Sequence, residues 1–201
     1  MAGFREVEIR QPVVDQVRGL AGGEAGNPAT RYAEAFAVAQ RNDVCCTCHA
    51  GEGAGSDSVR DALHGCSVHR IGHATRLIED PALTEYANQH RIPLEICLTS
   101  NVQTRAAESY GAHPFREYFD IGLNVVLNTD NRLMSGVTLS SEFAALDEAF
   151  GIGLGEMEWL TINALKSAFA PFDERLRLIN EVVKPGYAHL RAEATRVVVA
   201  Q

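Results

Sequence analysis

Short apolar runs closed by small or polar residues recur along this chain and alternate with longer amphipathic stretches. Residues 44–48, 68–71, 92–97 and 124–127 form four such runs, and their length and bounding residues predict strands. An earlier apolar run at 13–20 ends in the glycine-rich loop 21–28. Between the runs, Ala33, Phe36, Ala37 and Val38 recur at helical spacing and predict a helix over 31–41. Ser56 or Asp57 can cap a short helix reaching Leu63. Pro81 stands at the favoured first position of a helix over 81–90. A short helix follows His113-Pro114 and reaches Ile121, and helices over 139–150, 154–169 and 173–183 close the pattern. Residues 1–12 read as an irregular lead-in, and the tail from Ala192 is left unplaced.

The polar or small positions just past each apolar run are Gly22, His49, His73, Ser100 and Asp130, separated by 24 to 30 residues. A β-then-α unit of near-constant length implies parallel strands joined by crossover helices. The carboxyl ends of parallel strands share one rim, so chemistry should collect there. Five units consume most of the 201 residues, whereas a closed eight-unit barrel takes about 250. The count does not close. No linker or low-complexity segment interrupts the pattern, so residues 1–201 are expected to form one domain.

Composition narrows the class of ligand. The chain is 46% hydrophobic and 22% charged, ordinary for a globular protein with a sizeable core. Eighteen basic against 26 acidic side chains give a net charge of −8, which disfavours nucleic acid and anionic membrane as partners. A neutral or cationic small molecule fits better. No apolar run is long enough to span a bilayer, and the first twenty residues lack a signal-peptide core, so a cytoplasmic location is expected. Five cysteines fit reduced thiols rather than a disulfide framework.

The richest stretch is Cys45-Cys46-Thr47-Cys48-His49-Ala50-Gly51-Glu52. A histidine where a strand leaves the core can hold a metal or move a proton, and a carboxylate across a small turn can lean over the same pocket. Strand alternation puts Cys45, Thr47 and His49 on one face and Cys46 and Cys48 on the other. With no second Cys-x-x-Cys, a structural Cys/His metal knot is disfavoured. From the residues alone, His49, His73 and Asp130 make the three protein ligands usual for catalytic zinc.

Several strings together resemble the adenosine deaminase family of zinc-dependent amidohydrolases. They are Leu20-Ala21-Gly22-Gly23-Glu24, His49-Ala50-Gly51-Glu52, Arg70-Ile71-Gly72-His73, Cys97-Leu98-Thr99-Ser100-Asn101-Val102-Gln103-Thr104 and Asn128-Thr129-Asp130-Asn131. Arg132-Leu133-Met134-Ser135-Gly136 and Asn163-Ala164-Leu165-Lys166-Ser167 resemble the bacterial branch. The Pro-Cys-x-x-Cys of the cytidine deaminase class is absent.

The resemblance implies a partial (β/α)8 barrel, strands four to eight plus C-terminal helices, with one Zn2+ and a purine nucleoside as substrate. It makes His49 and Asp130 zinc ligands, Glu52 the donor of a proton to purine N1, and His73 a residue that orients the attacking water rather than a ligand. Asp130 would also accept a proton from that water. Gly22 would approach the base through its backbone. Asn131 stands where many members have an aspartate facing N7.

The family's His-x-His, which supplies two further ligands from the first strand, has no counterpart here. The expected activity is therefore deamination of adenosine and deoxyadenosine, weak or lost in the isolated chain. One alternative is an impaired portion that needs an N-terminal partner. Another is a deaminase of a different 6-aminopurine, adenine or aminodeoxyfutalosine. Strand edges near Val14 and Val126 are expected to pair with a second copy or with an N-terminal half.

Overall fold

The computed structural model describes residues 17–199. Five parallel strands stand in the order of the chain: β1 (Val17–Leu20), β2 (Cys45–Ala50), β3 (Arg70–His73), β4 (Leu94–Ile96) and β5 (Val125–Leu127). The register steps regularly, with Cys48 opposite Leu20 and Ile71, and Leu94 opposite Ile71 and Val125. Among the described residues β1 and β5 are not paired with each other, so the sheet is open.

The crossovers are α1 (Ala33–Arg41), α2 (Ser56–Arg60), α3 (Pro81–Gln89), α4 (Leu98–Gln103) and α5 (Phe115–Asp120). After β5 come α6 (Arg132–Ser135), α7 (Leu139–Phe150), α8 (Leu154–Ser167), α9 (Phe172–Leu178) and α10 (Lys184–Val199). The helix over 81–90 begins as its sequence predicts: Asp80 accepts the Leu83 N–H at 3.0 Å, and Pro81 fills the first turn. Residues 192–199 of the tail lie in α10. A π-helical turn at Ile179–Val183 precedes Lys184-Pro185, where the missing proline N–H breaks the regular ladder.

One face of the sheet carries the core. Cys46, Cys48, Ala50, Ile71, Leu94 and Ile96 are buried under the helices, while Cys45, Thr47 and His49 are half-buried on the other face. This is the predicted alternation. All five cysteines are free, and burial pushes the Cys48 thiol up to about 12 and the Cys66 thiol up to about 11. The four buried ones are fillers of close-packed layers.

Of the two predicted edges, the one at β5 can be described. Val14 lies outside the described residues, and the edge strand there is β1. At β5, Val126 is in register with Glu95 and buried. The side amide of Asn163, on α8, donates to the Val125 carbonyl at 2.8 Å. The β5 edge is thus partly closed by a side chain. No helix among the described residues is long and apolar enough to cross a membrane.

Candidate active site

His49, His73 and Asp130 come together where β2, β3 and β5 leave the sheet. Their ligand atoms all lie within 4.8 Å of one another. His73 Nε2 is 3.1 Å from His49 Nδ1 and 3.5 Å from a Glu52 carboxylate oxygen. Strand ends 24 to 81 residues apart in sequence thus converge on one spot.

Register alone would not give this arrangement. His73 is opposite Ala50 and follows Gly72, which is opposite His49, so simple alternation assigns His73 to the face away from His49. Its φ of 65° rotates Cβ about the N–Cα bond and turns the ring toward the rim. Left-handed backbone costs a non-glycine residue about 1–2 kcal/mol. The turn is held from both sides: Ala74 N–H donates to Ala50 O at 3.0 Å, and the buried Tyr118 hydroxyl donates to Ala74 O at 2.8 Å. Asp130 is also left-handed, with φ 53°, and the Ser100 hydroxyl donates to its Oδ2 at 2.8 Å.

Glu52 is carried by a turn that Gly51 makes at φ 74°. A carboxylate from the loop after β1 clamps it. Glu24 accepts the N–H groups of Gly51 at 2.7 Å, Glu52 at 2.9 Å and Gly53 at 2.7 Å, and the Ser58 hydroxyl as well. Glu52 itself accepts from the Thr104 hydroxyl at 2.9 Å. Burial raises the Glu52 carboxyl above its ordinary value, against the lowering effect of Thr104 and His49. Burial lowers His49, reinforced by His73, and burial also lowers His73, against nearby Asp130. The site therefore favours neutral imidazoles beside a carboxyl that holds its proton more readily than one in water.

Gly22 and His49 line the same small cavity, with Glu24 and Ser58 on its wall. Asn131 is exposed and caps α6, its side-chain oxygen accepting the Met134 N–H at 3.1 Å. Asn131 rather than Asp130 caps this helix, and Asp130 is left to the site. A larger surface cavity of about 660 Å³ lies between Thr75, Glu79, Gly111 and Phe150. It contains none of the convergent residues and no comparable donor set.

Ser100 stands at the rim as its strand-end position predicts, whereas spacing and strand ends give no role to Glu24, Asn101, Thr104 or His113. Glu24, Ser100, Asn101 and Thr104 stand inside the quoted strings, but the partners that tie them to the site are 27 to 52 residues away. Only the folded register reveals them.

A family model described as adenosine deaminase matches residues 8–185. The chain belongs to the adenosine deaminase family. Adenosine deaminase 1 of Streptomyces coelicolor is 46% identical over 185 residues, covering 87% of this chain and 47% of that protein. The chain spans about half the length of the curated relatives it matches.

Among solved structures, adenine deaminase from Arthrobacter aurescens superimposes with a TM-score of 0.81 at 29% identity, covering 85% of this chain and 52% of that one. An amidohydrolase from Burkholderia ambifaria with bound Zn gives a TM-score of 0.81 at 21% identity, over 89% and 50% of the two chains, and it shows a shared fold. The five parallel strands match one half of deaminase barrels in this family.

Proposed function

We propose that this chain supplies the Glu52-bearing half of a zinc-dependent hydrolytic deaminase of 6-aminopurine nucleosides, converting adenosine and deoxyadenosine to their inosine counterparts. The observation that carries the reading is the convergence of His49, His73 and Asp130 within 4.8 Å, with Glu52 beside them, in a chain 46% identical to an adenosine deaminase.

The donor set fits zinc, which takes imidazole nitrogen and carboxylate oxygen. His49 and Asp130 would hold it. When bound, the ion lowers the pKa of a water toward neutrality and so supplies the nucleophile. Glu52, its carboxyl raised by burial, delivers a proton to purine N1. His73 orients the incoming oxygen, and Asp130 takes its proton. Gly22 approaches the base through its backbone, and the Nδ2 of Asn131 donates to N7 while its oxygen caps α6.

Two ligands fall short of the three protein ligands usual for catalytic zinc. The open β1–β5 gap also leaves the pocket wet. Efficient turnover therefore requires the complementary half-barrel, joined to this one or supplied in trans. The nucleoside reading is favoured over adenine by the higher identity to the Streptomyces enzyme than to the Arthrobacter one.

The test is to express residues 1–201 alone and together with the N-terminal half of the Streptomyces protein. Zinc content and loss of the substrate's ultraviolet band are followed with adenosine, deoxyadenosine, adenine and aminodeoxyfutalosine. Turnover of the nucleosides only in the reconstituted sample supports the proposal. Robust turnover by the chain alone overturns the need for a second half, and preference for adenine or aminodeoxyfutalosine overturns the substrate assignment.

A further inference from the structure

The proposed chemistry leaves two buried polar side chains without a role. Asn101 is 0% exposed and His113 is 3% exposed, and both lie behind His73. We infer that Asn101 and His113 are positioning residues that fix the tautomer of His73, keeping its proton on Nε2, the ring nitrogen that faces the site.

The order of donors follows from one group that cannot reverse. The Phe115 backbone N–H, at the first turn of α5, is 3.0 Å from His113 Nδ1. A backbone N–H only donates, so His113 Nδ1 accepts. A neutral imidazole then carries its proton on Nε2. His113 is neutral at pH 7, because burial, reinforced by His73, lowers its pKa to about 4.

His113 Nε2–H points at Asn101 Oδ1, 3.1 Å away. Turning the Asn101 amide over would set donor against donor between two buried side chains. The amide orientation is thereby fixed. Its Nδ2, which only donates, lies 2.9 Å from His73 Nδ1. His73 Nδ1 accepts, and the proton of neutral His73 sits on Nε2. That nitrogen faces His49 Nδ1 at 3.1 Å and Glu52 at 3.5 Å.

The backbone supports each step. Asn101 N–H donates to Cys97 O at 2.8 Å, and Asn101 O accepts from Ala107 N–H at 3.0 Å. The side chain therefore extends from a main chain tied at both ends. The path His113–Asn101–His73 runs from the turn before α5 through α4 to the end of β3 without a solvent-exposed member. Its consequence rests on the proposed role of His73: with Nε2 protonated, His73 presents a donor to an oxygen at the site and has no lone pair there with which to take a proton. The tautomer itself does not depend on that role.

The experiment uses the full chain, metal-free and without substrate, with 15N-labelled histidine. Long-range 1H–15N correlation spectra at neutral pH report which ring nitrogen carries the proton, and the His73 signals are assigned by their loss in His73→Gln. Wild type should show His73 protonated on Nε2. Asn101→Asp places acceptors toward both imidazoles and should put a proton on His73 Nδ1. His113→Gln, whose amide can accept from Phe115 and donate to Asn101, should leave His73 as in wild type.

A wild-type His73 protonated on Nδ1 would overturn the inference, as would an unchanged His73 signature in Asn101→Asp. If Asn101→Asp fails to fold, the wild-type and His113→Gln spectra still decide. A chain with no deaminase activity and no zinc affinity yields the same spectrum, so failure of the functional proposal and failure of this one are distinguishable.

Discussion

Gly72 lies against the imidazole of His49: a methyl group at Gly72 would stand 2.7 Å from His49 Cδ2 and 3.4 Å from its Cα. The strand neighbours are in register, so the backbone of β2 is not free to retreat, and the ring must turn. The absence of a side chain at position 72 is thus what lets His49 face His73.

Gly72→Ala should therefore lower zinc affinity at least tenfold while costing about 1–3 kcal/mol of stability, the usual penalty for overpacking. Zinc titration by competition with a chromophoric chelator reads the first quantity, and urea denaturation the second. Unchanged affinity in a folded variant would show that the His49 rotamer is not the one used for the metal.

Glu24 sets the position of Glu52 by holding its backbone N–H rather than its carboxyl. Its two oxygens accept three successive backbone N–H groups, from Gly51, Glu52 and Gly53. Glu24→Gln keeps the shape but turns one acceptor end into a donor facing N–H groups. The expected loss is about 2 kcal/mol, from unsatisfied part-buried donors, measured by urea denaturation. In the reconstituted enzyme the variant should lose kcat more than KM, because the turn presents the proton donor. A change below about 0.5 kcal/mol would mean that solvent replaces the carboxylate freely.

His113 predicts a stability that depends on pH. Its folded pKa is depressed to about 4 from the ordinary imidazole value of 6.5, so its neutral form is favoured by the fold. The contribution is fully present above pH ~6.5 and is lost as pH falls toward ~4, and it amounts to about 3 kcal/mol across that window. Burial and nearby His73 are the causes, in that order. Carboxylates titrate in the same range, so the quantity to measure is the difference between wild type and His113→Gln in urea denaturation from pH 7.5 to 4. Wild type should lose about 3 kcal/mol more than the variant. Parallel curves would show that His113 is protonated without cost.

The strands and the polar residues at their ends were legible because a buried parallel strand is a short apolar run with a sharp boundary. His49, His73 and Asp130 were found at such boundaries. The small helices α4 and α6 were not, since Leu98 and Arg132 directly follow strand-end motifs and lack the length for a periodic signal. Sequence spacing also could not show that His73 changes faces, because a positive φ at a histidine leaves no compositional mark. Asn101 was visible within its string, yet its role depends on His113 and His73, twelve and twenty-eight residues away. The partly closed β5 edge was hidden for the same reason: it is made by a side chain from α8.

That edge gives the last prediction. Val125 presents its carbonyl on the side of β5 away from β4, where a further strand would pair, and Asn163 Nδ2 donates to it at 2.8 Å while also reaching Asn124 Oδ1. An unpaired edge of this kind invites strand addition from another chain. Removing the amide in Asn163→Ala should cost about 1–2 kcal/mol and strengthen self-association, because an acceptor is returned to the open edge. Sedimentation velocity over a concentration series reads the association, and urea denaturation at low concentration reads the stability. If the variant loses stability but sediments as wild type does, the β5 edge is not a pairing surface, and contact with a second half must be made through β1 or the rim.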